Sequence, residues 1–153
     1  MSYTMAMDGA VLRIRLYDTL TDVDLRDLAD DVLGLEANQV PTPARVTDMS
    51  GLRRISVGFR EMLAFVERRR ASPPKQSIRS ALVVESEVQY GIARMFQTLN
   101  NHPLVSVEIF RDASKALDWV EDRSRRPSGA AVADERPPVP TSLRDENDDA
   151  VGG

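Results

Sequence analysis

Ser56 stands among Arg53, Arg54 and Arg60, one hydroxyl flanked by guanidinium groups. It precedes Phe59, Met62, Leu63 and Val66, whose i, i+3, i+4, i+7 spacing predicts a helix running to about Arg70. Two kinds of chemistry are open to this serine. As a cap, its hydroxyl would accept a hydrogen bond from an N–H of the first helical turn, a role for which serine is among the commonest residues. As a phosphorylation site, it would bring negative charge to the positive end of the helix dipole and to neighbouring arginines, a setting that favours the added charge. Tyr90 and Arg94 form a second candidate pair, four residues apart on one face of another predicted helix. An arginine beside a phenol ring can bind an anion or a partner's carboxylate, or it can lay its stem over the core and reach water.

Much other chemistry is excluded. There is no cysteine and a single histidine, which removes disulfides, thiolate sites, thiol catalysis and any site needing two imidazoles. That histidine, His102, precedes Pro103 and reads as part of a solvated turn rather than a metal ligand. No glycine-rich phosphate loop is present, the only close glycine pair being Gly152-Gly153. Asp18, Asp22, Asp24, Asp27, Asp30, Asp31 and Glu36 cluster on one helix, as a solvated face does, instead of converging as an acid/base pair. No nucleophile, base and orienting group can be named together, so the expectation is no enzyme, no cofactor and no metal. A formal charge of -4 and few aromatic residues argue against a nucleic-acid partner.

Charge is nonetheless unevenly spread. The acidic cluster contains only Arg26 as a base, whereas residues 51 to 80 hold Arg53, Arg54, Arg60, Arg68, Arg69, Arg70, Lys75 and Arg79 against Glu61 and Glu67. Two opposite poles result, suited to steering a protein partner or to self-association as a homo-oligomer. Neutralisation within one molecule is the alternative.

The elements that must position these residues follow from the changing hydrophobic period. Residues 2 to 7 and 10 to 17 flank Asp8-Gly9, a strong two-residue hairpin signal. Thr21 can cap a helix carrying Leu25, Leu28, Val32 and Leu35 and ending before Pro41. Ala44 to Met49 is a short strand, and the apolar run at 80 to 86 is a central strand covered on both faces. Ser86 with Gln89 makes a capping box for a helix with Val88, Ile92, Met95 and Leu99 on its inner face. Gly91 inside that helix costs about 1 kcal/mol relative to alanine, so close approach of another backbone is expected there. Val105, Val107 and Ile109 alternate as a strand, and Asp112 can cap a last helix containing Trp119, read as a principal core side chain. The order ββαβαβαβα implies an α/β fold with a mixed, largely parallel five-stranded sheet, an N-terminal hairpin and four helices. The domain is read as 1–123. Residues 124–153, rich in proline and charge and poor in apolar side chains, read as a disordered tail. No apolar run reaches the length of a membrane span and no signal-peptide order is present, so a cytoplasmic protein is expected.

Two stretches, ALVVESEVQYGIARMFQTL and VEIFRDASKALDWV, resemble bacterial proteins of the STAS-like family, related to the sulfate-transporter and anti-sigma-factor-antagonist fold. The shared pattern is a strand, YGxARM opening a helix, a strand ending V-x-I-F-R-D, and A-L-x-W-V in a final helix. The order of elements fits over residues 2 to 122, and the motifs themselves fall at 81 to 120. The resemblance implies a small regulatory or ligand-binding domain and no enzyme. In phosphoswitch members of the wider fold a D-x-S strand is followed by I-D-S-S-G at a helix start, the second serine being phosphorylated. Here Asp48-Met49-Ser50-Gly51 and Ile55 match, but Ser56-Val57-Gly58 is one residue short and lacks the acidic residue, leaving Ser56 as the position that could serve. The resulting expectation is a non-catalytic regulatory or scaffold domain that binds a protein partner in bacterial signalling. The alternative is a small-molecule or lipid carrier with an apolar pocket beneath its helices.

Overall fold

The computed structural model describes residues 2–39 and 41–122. The expected tail at 124–153 lies outside them. The elements run β1 (Tyr3–Asp8), β2 (Val11–Leu20), α1 (Asp22–Ala37), β3 (Ala44–Ile55), α2 (Phe59–Arg70), β4 (Ile78–Val83), α3 (Glu87–Leu99), β5 (Val105–Phe110) and α4 (Ala113–Glu121). The five strands form one sheet in chain order, β1 antiparallel to β2 and the remaining neighbours parallel. This is the architecture that the alternation of strand and helix patterns implies.

Adjacent parallel strands joined by crossovers of one hand must carry their helices to one face. The larger core follows: Leu12, Ile14 and Leu16 of β2, Met49 of β3 and Leu82 of β4 meet Leu25, Leu28 and Val32 of α1, Met62 of α2 and Ala93 of α3. On the opposite face α4 packs alone, with Ala116, Leu117 and Trp119 against Val46, Ala81, Val83 and Phe110. Trp119 is half-buried there, its ring 5.7 Å from Phe110 and 5.1 Å from the Arg79 guanidinium. It anchors this smaller core and takes no part in the main one.

Local signals explain most boundaries. Thr21 and Asp24 form a reciprocal capping box on α1, Ser86 and Gln89 one on α3, and Asp112 accepts from the N–H groups of Ser114 and Lys115 at the start of α4. The hairpin is offset by one residue from expectation. Asp8 pairs with Val11, so the loop is Gly9-Ala10, with Gly9 at φ +63° as such a turn requires.

The largest departure is β3, which extends to Ile55 instead of ending at Met49. Beyond Asp48 it loses β4 as a neighbour but keeps β2 as far as Leu20, so the two strands project together past the rest of the sheet. The projecting ribbon contains two register shifts, and Asp18 has φ 60° there. At Gly51 a Cβ would lie 3.0 Å from the Leu16 carbonyl oxygen, so the bulged backbone leaves no room for a side chain.

Candidate functional site

Every parallel strand delivers its chain to the same end of the sheet, so α1, α2 and α3 all begin there. Phe59, in the first turn of α2, is 59% exposed, and Val88, in the first turn of α3, is 67% exposed. Both were expected on buried stripes. The period is right for the middle of α2, where Met62 and Val66 are buried, but Phe59 in its first turn faces solvent; on α3 the buried face follows Gln89 and Ala93, one position round from the expected stripe, which leaves Val88 outside. Val23 of α1 and Tyr90 of α3 are exposed at the same end, which accounts for all four large exposed hydrophobic residues among the described ones.

The sequence-derived arginines join this surface. Arg53 and Arg54 lie at the end of β3 and Arg60 in the first turn of α2; all are exposed and form no ion pair among the described residues. Ser56 is exposed between them, its N–H held by the Leu20 carbonyl at 2.8 Å. The cap of α2 is Gly58, whose N–H donates to the Glu61 carboxylate at 2.9 Å. The capping role considered for Ser56 is thereby excluded, because Val57 and Gly58 separate it from the first helical residue.

Tyr90 and Arg94 are not brought together. Arg94 donates along its own helix to Gln97 at 2.6 Å, and Gln97 in turn donates to the Val107 carbonyl. The cation over the Tyr90 ring is Arg111, at 5.4 Å, which leaves the end of β5 and also pairs with Glu87. Sequence reasoning missed Arg111 because its approach to Tyr90 depends on the pairing of β4 with β5. Gly91, expected to mark a close backbone approach, faces open space. His102 is half-buried, its Nδ1 accepting from the Leu104 N–H at 3.0 Å.

Gln89 makes this end rigid. Its side chain, 4% exposed, donates to the Leu52 carbonyl at 2.9 Å and accepts from the Glu85 N–H at 2.7 Å. It thereby ties the projecting part of β3 to the start of α3, taking the place of the β4 ladder that has ended. The Asp48 carboxylate likewise accepts from the Ser50 N–H and hydroxyl, at 2.9 and 2.7 Å.

The charge poles meet inside the molecule. Arg68 of α2 pairs with Asp30 of α1, and Arg69 reaches the Glu36 carboxylate at 3.1 Å, so the basic end of α2 is spent largely on acidic α1. Exposed Arg53, Arg54 and Arg60 remain of the basic pole at the carboxyl end of the strands, while Arg70 donates to the Leu99 carbonyl and Lys75 is exposed. Among the described residues no three His, Cys, Asp or Glu are grouped to hold a metal, and no helix is long and apolar enough to cross a membrane.

No family model matches the sequence, and no curated protein matches it significantly. Solved structures do resemble it. An uncharacterized protein of the DUF3478 family with a SpoIIAA-like fold, from Shewanella loihica PV-4, superposes with a TM-score of 0.57 at 16% identity, covering 78% of this chain and 94% of that one. An anti-sigma factor antagonist from Mycobacterium paratuberculosis superposes with a TM-score of 0.54 at 18% identity, covering 79% and 96%. At these identities the likeness is one of fold, and the chain has the STAS-like, SpoIIAA-like fold.

Proposed function

We propose that this chain is a non-catalytic regulatory domain in bacterial signalling that docks a protein partner at the carboxyl end of its parallel strands. One observation carries the reading: among the described residues, the exposed large hydrophobic side chains gather at that end, beside arginines that form no ion pair. An apolar centre with a charged rim is the usual composition of a protein-binding patch. The complementary partner presents an apolar segment flanked by carboxylates. Ser56 lies in the middle of this basic rim, so a phosphate there would neutralise the arginines and repel such a partner. The resemblance in fold to an anti-sigma factor antagonist is consistent with a protein-binding role.

The test is affinity capture with quantitative mass spectrometry, comparing wild type, Ser56→Asp and a Phe59→Ser, Val88→Ser double variant. A partner retained by wild type and lost from both variants, each still folded by circular dichroism, supports the reading. Equal recovery from all three contradicts it. A second reading, that of a small-ligand domain, is favoured by an apolar hollow of about 70 Å³ between the sheet and α1, α2 and α3.

A further inference from the structure

At the amino end of the parallel strands, opposite the docking surface, the charged residues are buried. Arg45 of β3, Glu36 of α1 and Arg69 of α2 have side chains only 10%, 11% and 12% exposed, and one carboxylate serves both guanidinium groups. The cluster therefore holds one uncompensated positive charge in a setting where an unpaired ion is costly. Among the described residues the buried Arg45 Nε has no acceptor, and neither has the Asn100 amide nitrogen at the end of α3.

Arg45 and Asn100, which carry these two donors, both line one small hollow of about 30 Å³, together with Arg69, Arg70, Ser80 and His102. His102 accepts through Nδ1, which leaves its Nε2 as a donor in the neutral tautomer. Among the described residues no acidic side chain lines this hollow or the 70 Å³ one, and the two share Arg45, Arg69, Ser80 and Phe96 as lining residues. On its far side the larger hollow is walled by Leu28, Met49, Met62, Phe65 and Ile92. At the mouth of the smaller one, Arg70 and Ser72 are exposed.

We propose that this chain binds a short-chain monocarboxylate here, the carboxylate on Arg45 and Asn100 and the alkyl chain in the hollow under the helices. The surplus charge calls for an anion, and the unpaired N–H groups call for acceptor oxygens. The apolar wall calls for a hydrocarbon end rather than a second charged group. Size limits the chain. The hollow is about half of the ~150 Å³ that accepts benzene, so roughly four carbons fit without repacking. The inference extends the small-ligand reading and is independent of the docking surface.

Thermal unfolding of the full chain tests it, with butanoate, acetate, butanamide and inorganic phosphate compared at millimolar concentration and equal ionic strength. Butanoate should raise the melting temperature by about 3 °C near saturation and the others by clearly less. Amide shifts in a ¹H–¹⁵N spectrum should then be centred on Asn100 to Val105. Asn100→Asp removes a donor and supplies a carboxylate of its own; it should remain folded and lose the butanoate response. No shift with any compound would overturn this site while leaving the small-ligand reading standing. A rise with butanamide equal to that with butanoate would overturn the carboxylate site while leaving a ligand hollow. An equal rise with phosphate, or an undiminished response in Asn100→Asp, would also overturn it.

Discussion

The two ends of the parallel sheet use arginine in opposite ways. At the carboxyl end Arg53, Arg54 and Arg60 are exposed, without ion pairs among the described residues, and accompanied by exposed Phe59 and Val88. At the amino end Arg45 and Arg69 are buried around Glu36 and belong to the packing of the molecule. Solvent decides the difference. An exposed guanidinium costs the fold almost nothing and is free for a partner, whereas a buried one must be matched or it destabilises. On the proposed reading the same residue type serves recognition at one end and structure at the other.

The contrast predicts graded responses to substitution. Glu36→Ala, which leaves two buried guanidinium groups facing each other, should be the most severe, costing about 3–5 kcal/mol in urea denaturation. A loss under 1 kcal/mol would show that water already reaches the cluster. Gln89→Ala should cost less, about 1–3 kcal/mol, because it strips a partner from the buried Leu52 carbonyl and from the part-buried Glu85 N–H. Hydrogen exchange in that variant should rise selectively in residues 50–55, the part of β3 that no longer has β4 beside it.

Tyr3 adds a pH dependence. Burial, reinforced by its hydrogen bond to Asp31 at 2.5 Å and by nearby carboxylates, pushes the phenol well above its ordinary value. With the folded pKa raised, the contribution of this group is complete below about pH 10, where the unfolded phenol begins to ionise, and declines as pH rises toward the folded value. Tyr3→Phe should lose about 1 kcal/mol at neutral pH. Its stability should also fall less steeply than that of wild type above about pH 10. Parallel alkaline profiles would show that Tyr3 ionises as freely in the native state as in the unfolded one. The smallest effect on folding belongs to the carboxyl-end surface: Phe59→Ser should change stability by under about 0.5 kcal/mol.

What the sequence revealed follows the same division between local and long-range causes. Thr21, Ser86 with Gln89, and Asp112 announce their helices because caps act within a few residues, and the order of elements came from those signals together with periodicity. Phe59 was misread because period locates a helix face but not whether anything lies against its first turn, and Val88 because the buried face of α3 follows Gln89 and Ala93 instead. The length of β3 was hidden because the apolar alternation that marks a strand stops at Met49, whereas its continuation to Ile55 rests on pairing with β2. The Glu36 cluster was invisible for a related reason. Charged side chains on an acidic helix and at a basic helix end read as two solvated poles, and only the packing of α1 on α2 brings them together.

The central claim is that recognition of a protein partner belongs to the carboxyl end alone. The most direct measurement is quantitative capture of interacting proteins by three forms of the chain: wild type, Phe59→Ser with Val88→Ser, and Asn100→Asp as a control at the other end. The account predicts a partner bound equally by wild type and Asn100→Asp and reduced at least about tenfold by the double variant, a loss of about 1.4 kcal/mol or more in binding. A partner retained by the double variant and lost from Asn100→Asp would contradict it, because recognition would then belong to the amino end.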